Sequence, residues 1–320
     1  MKVKDFDELA YPRRRPWWIL LLLVVVVAFF GLRRKNADEP NQPGPREEIA
    51  DVEAVANEPA AERPVHSEPK AAPPAPLPTG DLNELIARGD SSLAAGELSE
   101  ARAAYVAALR RCRNASLRRE IEDRLGPVHV DLVMNPHMMP EKVPYVVRPG
   151  DSVDRLAKKY GVTKDLIIQS NRIANPNLIK AGDQLRILKA KFNVTVSKSR
   201  NDLRVEMNER FFKRYRIGTG EFGKTPVGTF VIDLKQTNPD WWAKGKRVRF
   251  GEKENILGTR WMSIKASGET PKVSGYGIHG TWDDSTIGKA LSAGCIRMRN
   301  PEVEELYVLL PIGTPVTINE

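Results

Sequence analysis

Hydrophobic and polar positions follow several different rhythms along this 320-residue chain, and each change of rhythm marks a change of element. Residues 17–32 are an unbroken apolar run (WWILLLLVVVVAFFGL). As a helix it would extend about 24 Å, somewhat short of a hydrocarbon core of ~30 Å. Flanking arginines can snorkel and Trp17 and Trp18 suit an interface. The run leads into Arg33-Arg34-Lys35 rather than a small-x-small cleavage site, so residues 1–35 read as a cytoplasmic tail and a single transmembrane anchor, not a cleaved signal. Lys2, Lys4 and Arg13, Arg14 and Arg15 outnumber the basic residues beyond the run, which places the N-terminus in the cytoplasm and the remainder in the periplasm or extracellular wall space.

Residues 36–80 are rich in Pro, Ala and Glu with almost no aliphatic periodicity, the composition of a linker that buries too little surface to offset its folding entropy. Over residues 81–127 helical spacing begins. Leu82, Leu85, Ile86 and Leu93 predict one helix, Gly96 a break, and Ala101, Ala104, Tyr105, Ala108 and Leu109 a second, with a third over 117–125. The spacing of Gly89, Ala101, Tyr105 and Ala108 resembles a single tetratricopeptide repeat. A lone repeat offers little groove, so this segment is expected to be a folded spacer or oligomerisation element.

Residues 143–189 change rhythm again: a strand (YVV), a turn (RPGDS), a helix (VDRLAKKYG), a second helix (TKDLIIQSN) and a closing strand (QLRIL) predict a βααβ unit. Through Tyr145-Val-Val-Arg-Pro-Gly-Asp-Ser, Leu156-Ala-Lys-Lys-Tyr-Gly-Val, Asn171 and the Leu178-Ile-Lys-Ala-Gly-Asp-Gln-Leu close, it resembles the LysM module. The resemblance implies binding of polymers containing N-acetylglucosamine in a shallow groove between two loops. Gly150, Asp151 and Ser152 stand in the first loop, Asn175 and Asn177 in the second.

From residue 191 to 320 short alternating runs (FNVTV, LRVEM, KRYRI, TFVI, WMSIK, PVTI) predict a mostly β domain. One helix interrupts it, with Asn300 expected as N-cap and Pro301 at its first position. The chain as a whole is thus expected to be multidomain: transmembrane helix, TPR-like helical hairpin, LysM module and mostly β catalytic domain. Composition adds little: fifty Lys and Arg against forty-one Asp and Glu give +9, which favours anionic surroundings without naming one. Two cysteines, Cys112 and Cys295, exclude a disulfide framework, and neither lies in a metal-type cluster, so no metal or cofactor is expected.

Candidate chemistry sits in Ile278-His-Gly-Thr-Trp and Ser292-Ala-Gly-Cys-Ile-Arg-Met298. A thiol attacks an acyl group as its thiolate, and one nearby imidazole is the least equipment that can take its proton and return it to a leaving amine. Backbone N–H groups around Gly294 and Cys295 are candidates for receiving an oxyanion. Alone, a His sixteen residues before a Cys is also compatible with a buried structural thiol. Together with Gly218-Thr-Gly, Lys224-Thr-Pro-Val-Gly-Thr-Phe-Val-Ile232 and Asn255-Ile-Leu-Gly-Thr-Arg-Trp261, these motifs resemble the YkuD-type L,D-transpeptidases in order and spacing.

The resemblance implies a cysteine enzyme without metal. Its thiol would cleave the L,D-peptide bond of a peptidoglycan tetrapeptide stem, release D-Ala, and pass the acyl group to an amine on a second stem as a 3→3 cross-link, or to another amine such as a lipoprotein lysine or a free D-amino acid. Position by position it implies Cys295 as nucleophile and His279 as general base, its tautomer held by a backbone carbonyl near Gly280. Ser292, Ala293 and Gly294 shape the cysteine loop. Arg297 meets a substrate carboxylate or holds loop carbonyls, and Trp241 and Trp242 wall the groove or are simply half-buried. The common family pattern has His where this chain has Ala293, which leaves the thiol–imidazole pair in place. The partners expected are peptidoglycan, as donor stem, acceptor amine and glycan, and the cytoplasmic membrane, with no nucleic acid. An L,D-carboxypeptidase using water, a degenerate wall-binding scaffold, and a Cys112–Cys295 redox pair are the rival readings.

Overall fold

The computed structural model describes residues 77–320 apart from Lys244. The expected membrane anchor, and the placement of the chain across a membrane built on it, are not upheld: no helix among the described residues is long and apolar enough to cross a membrane. The run 17–32 and most of the Pro-rich segment lie outside the described residues.

Three helices open the described chain: α1 (Leu82–Ala94), α2 (Leu98–Arg111) and α3 (Ala115–Met134). A capping box starts α1, with Asp81 and Glu84 each accepting from the other's backbone N–H. Gly89 is needed where α1 meets α2, because a Cβ there would stand 2.5 Å from the Tyr105 ring. Asn114 caps α3 by accepting from the N–H of Ser116 and Leu117. The third helix is longer than expected, running through Pro127 to Met134. Tertiary packing outweighs the proline. The buried face of α3 carries Ile121, Leu125, Val128, Leu132 and Val133, and at Gly126 the Lys213 side chain comes close enough that a Cβ would crowd it.

The βααβ unit follows as expected: β1 (Lys142–Val146), α4 (Val153–Tyr160), α5 (Lys164–Ser170) and β2 (Gln184–Leu188), with β1 and β2 antiparallel. Ser152 and Thr163 cap the two helices, Gly161 closes α4 in a left-handed conformation, and Asn171 ties α5 to β2 through both backbone groups of Arg186.

The last 130 or so residues build one eight-stranded sheet. In spatial order it contains β13 (Ile296–Arg297), β11 (Gly277–His279), β10 (Arg260–Ala266), β7 (Gly228–Thr237), β14 (Pro315–Asn319), β3 (Phe192–Ser197), β4 (Asp202–Met207) and β5 (Arg210–Arg216). Two pairs, β11 with β13 and β14 with β3, are parallel; the others are antiparallel. Short ribbons pair β6 (Thr219–Gly220) with β12 (Ala290–Ser292), and β8 (Trp241–Ala243) with β9 (Lys246–Val248). Helix α6 (Asn300–Leu309) buries Val303, Leu306 and Leu309 completely. Its N-cap is Arg299 rather than the expected Asn300, whose Oδ1 instead accepts from the N–H of Thr259 at 3.0 Å.

These units share one apolar core. Helix α3 covers the edge strand β5, where the His129 ring stacks on Phe212 and its Nδ1–H donates to the Phe212 carbonyl at 2.8 Å. Arg204–Glu122 and Arg214–Asp123 pairs, both 2.7 Å, flank that contact. The βααβ unit touches both neighbours: Lys142 Nζ donates to the carbonyls of Leu132 and Asn135 at the end of α3, and Thr163 Oγ1 donates to Val308 O at the end of α6.

Candidate active site

A row of paired residues crosses the sheet edge: Gly218 opposite Arg297, Arg297 opposite His279, and His279 opposite Trp261. Residues directly opposite each other project to the same face, so Arg297, His279 and Trp261 stand side by side. Cys295 immediately precedes β13, two positions before Arg297. Parallel pairing of β11 with β13 sets Arg297 directly opposite His279 and next to the cysteine loop.

His279 is 2% exposed, and its Nδ1 lies 2.6 Å from Gly280 O. With Nδ1–H donating to that carbonyl, the ring lone pair lies on Nε2, and the Leu257 backbone is a further hydrogen-bonding neighbour of the imidazole. The Trp261 ring lies 5.7 Å from the imidazole at 30°. It also spreads over Gly277, where a Cβ would meet the indole at 2.7 Å. Gly280 is similarly confined, since a Cβ there would stand 2.1 Å from Asn300 Oδ1. Thus Asn300, Thr259 and Gly280 form a tight support beneath the imidazole.

Cys295 keeps a partly accessible surface, and its S–H donates to Gly275 O at 3.6 Å. Burial of the sulfur pushes the thiol up to about 11, opposed by the Gly277 N–H and the Arg297 charge. Burial pushes His279 down to about 4 against the pull of its Gly280 bond, and Arg297 lowers it further. At neutral pH the pair is therefore thiol and neutral imidazole, so the sulfur must lose its proton as it attacks. The Arg297 Nε is buried without a hydrogen-bond partner among the described residues.

The loop before Cys295 is held from inside. Ser292 Oγ donates to Cys295 O at 2.6 Å and accepts from Gly294 N–H at 3.0 Å. That corrects the expectation of Gly294 as an oxyanion donor, because its N–H is already engaged. Gly294 has φ +135, and a Cβ there would stand 2.5 Å from Tyr276 Cε1. Beneath it, the buried Thr225 hydroxyl donates to Gly294 O at 2.9 Å and accepts from Gly220 N–H at 2.7 Å. Ala293 is exposed.

Sequence reasoning missed Thr225, Tyr276 and Asn300, which act through contacts between distant segments. It quoted Trp261 within a motif and gave it no role. Trp241 and Trp242 stand on the separate β8–β9 ribbon, and no aromatic contact joins them to His279. The ribbon instead offers Phe250, 6.0 Å from the half-exposed Trp282, three residues after His279. Asp240 and Asn255 brace the ribbon, accepting from Phe250 N–H and donating to Pro239 O respectively.

In the βααβ unit the expected glycan-loop polar groups are largely engaged in the fold. Asp151 accepts from the Tyr145 hydroxyl at 2.7 Å and from Arg148 N–H at 2.9 Å. Ser152 caps α4, Asn175 accepts from Asn177 N–H, and Gly150 adopts φ +84. Cys112 is buried in the helical unit, its S–H donating to Asn114 O at 3.3 Å, and both cysteines are free. No three His, Cys, Asp or Glu side chains among the described residues converge as a metal would require.

Residues 191–318 match the YkuD family model, described as the L,D-transpeptidase catalytic domain, and residues 145–188 match the LysM domain. Two candidate L,D-transpeptidases named YkuD are similar over nearly their whole length. That of Bacillus licheniformis is 33% identical over 181 residues, 54% of this chain and 97% of the relative. That of Bacillus subtilis is 32% identical over 185 residues, 55% of this chain and 98% of the relative. A third candidate, YqjB of Bacillus subtilis, is 38% identical over 128 residues, 40% of this chain and 70% of the relative. With the catalytic-domain model matched and two relatives aligned over nearly their whole length, this chain is an enzyme and belongs to the YkuD-type L,D-transpeptidases, with a LysM domain joined to the catalytic one.

Proposed function

We propose that the chain acts on peptidoglycan tetrapeptide stems through a thioester on Cys295. The observation that carries this reading is the fixed tautomer of His279: its Nδ1–H is engaged by Gly280 O, so Nε2 is the proton acceptor. Sγ attacks the carbonyl of the scissile L,D bond while its proton passes to Nε2. The resulting imidazolium gives that proton to the departing D-Ala amine. The amine of a second stem then attacks the thioester, His279 takes its proton, and the thiol is regenerated as a 3→3 cross-link forms. Arg297, with an unsatisfied buried Nε, suits a substrate carboxylate. Phe250 and Trp282 supply the aromatic wall first assigned to Trp241 and Trp242. The oxyanion falls to an amide other than that of Gly294.

The LysM module holds glycan, through the loops bearing Gly150, Asp151 and Ser152, and Asn175 and Asn177. The α1–α2 hairpin serves as a single TPR-like spacer, with Gly89 and Tyr105 at its closest approach. Residues 81–127, 143–189 and 191–320 are the corresponding spacer, glycan-binding and catalytic segments, the first with its last helix extended to Met134.

The test is mass spectrometry of products from the full chain incubated with disaccharide-tetrapeptide, beside Cys295→Ala. A Cys295-dependent 3→3 dimer with release of D-Ala is expected. Trimmed tripeptide without dimer would make water the acceptor and the enzyme an L,D-carboxypeptidase. No product and no acyl-enzyme would leave a wall-binding scaffold.

A further inference from the structure

Charge is distributed unevenly over the described chain. Between residues 145 and 188 basic side chains outnumber acidic ones eight to four, and the basic ones concentrate beside the loops that border the glycan groove. The two loops are joined directly: Gly182 N–H donates to Val147 O, and Val147 N–H to Asp183 O, both at 2.9 Å. The first loop carries Arg148, and Arg155 in the first turn of α4 folds back over it, its guanidinium donating to Gly150 O. The second begins at Arg172 and ends at Lys180, and all four cations are exposed.

Among the acids near these loops, Asp151 offsets part of the charge of Arg148, while Arg172 and Lys180 meet no carboxylate partner among the described residues of the loops themselves. Asp151 is taken by the Tyr145 hydroxyl and a backbone N–H, and Asp183 accepts from Lys180 N–H at 2.8 Å. Arg172 adds a conformational argument. Its φ is +52, a left-handed position that Gly or Asn fills at lower cost, yet an arginine occupies it. Exposed Val146 and Leu178, 56% and 64% accessible, supply the apolar surface on which a sugar ring packs. The surface around the two loops therefore combines exposed apolar side chains with exposed cations, more than a neutral polysaccharide requires.

We infer that this surface recognises carboxylates projecting from the glycan strand, those of uncross-linked stem peptides, so that the module favours donor-rich peptidoglycan over bare glycan. The inference rests on the proposed peptidoglycan substrate. It fits the charge of that substrate, since each stem bears free carboxylates while the sugar backbone supplies only hydroxyl and amide groups. Several weak exposed contacts on one repeating polymer add through multivalency, and each is screened by salt.

The test is sedimentation of the full chain with three insoluble polymers: peptidoglycan freed of phosphodiester-linked polymers, the same material with its carboxyls amidated, and chitin. Arg172→Glu/Lys180→Glu is compared with wild type at low and physiological salt. Binding of wild type to peptidoglycan is expected to fall about tenfold on amidation, on charge reversal, or on raising salt. Chitin binding should change less than twofold in the variant. Circular dichroism and Cys295-dependent dimer formation from soluble disaccharide-tetrapeptide should match wild type, separating this surface from the catalytic site. Equal, salt-insensitive binding to all three polymers would overturn the inference while leaving glycan binding in place. Strong binding only before phosphodiester polymers are removed would also overturn it, making phosphate the anion read. Failure to bind any of the three would refute both the inference and the glycan-binding reading.

Discussion

Thr225→Val isolates one internal support of the nucleophile loop. The side chain is 1% exposed, and valine reproduces its shape while removing the oxygen that accepts from Gly220 N–H at 2.7 Å and donates to Gly294 O at 2.9 Å. Both partners are backbone groups of buried residues. Leaving a buried donor unmet costs about 1–3 kcal/mol and a buried carbonyl somewhat less, so the variant is expected to lose about 3 kcal/mol. With a urea slope of about 3 kcal/mol per molar, the denaturation midpoint should drop by about 1 M. Two rates should then move in opposite directions. Release of Gly294 lets water reach the sulfur, relieving the burial that lifts the thiol to about 11, so iodoacetamide alkylation of Cys295 should accelerate. Dimer formation should slow at least tenfold, because attack requires the sulfur in place against the substrate carbonyl. Thr225→Ser retains the hydroxyl and should stay near wild type in both rates. A midpoint shift below about 0.2 M, or alkylation and turnover unchanged in the valine variant, would refute this account of the loop.

Gly294→Ala places a Cβ 2.5 Å from Tyr276 Cε1 and 3.1 Å from Lys224 O at φ +135, so turnover should fall below detection in the muropeptide assay while far-UV circular dichroism stays native. His129 and His279 are both held near 4 by burial, against about 6.5 unfolded, so each contributes stability that is complete above pH 6.5 and lost as pH falls toward 4. At about 3 kcal/mol each, urea midpoints should decline steeply between pH 6.5 and 4 with uptake of two protons, and His129→Gln should remove one of them; a flat profile would contradict the burial argument. Because the βααβ unit and the catalytic sheet share one core, differential scanning calorimetry should show a single transition for both, where two resolved transitions would indicate independent modules. Cys112 is buried at the C-terminal end of α2 and its S–H bonds the adjacent loop, so Cys112→Ser should leave dimer formation unchanged, and a loss specific to oxidising conditions would revive a redox role.

Local signals carried most of the secondary structure. The βααβ order, the capped helices and six of the sheet strands follow from periodicity and from Ser, Thr, Asn and Gly at element ends, all of which act within a few residues. For the site, motif order supplied Cys295 and His279 as candidates. What escaped was the support around them, because it depends on pairings between distant segments. The stack of Trp261 on His279 follows from the β10–β11 register, and the Thr225 bridge joins residues 69 apart. Helix α3 continued through Pro127 because its buried face outweighs the bond the proline removes, a balance local propensity cannot display. The ring contact of Phe250 with Trp282 likewise joins segments that local sequence does not connect.

Helix α6 explains why the modules are fused rather than strung together. At its start, Asn300 fills the space that Gly258 and Gly280 leave open and holds Thr259, fixing the backbone next to His279. At its end, Val308 O accepts from Thr163 of the LysM domain, while Lys235 Nζ donates to Tyr307 O and Leu310 O. A single ten-residue helix thus touches the support of the imidazole at one end and the glycan module at the other. A weak sugar site on a flexible tether would only raise the local concentration of stems around the thiol. If the module holds the strand as proposed, its contact with α6 is expected to add orientation to proximity, so Thr163→Val, which removes the bond to Val308 O, should slow transfer on polymeric peptidoglycan more than on soluble disaccharide-tetrapeptide.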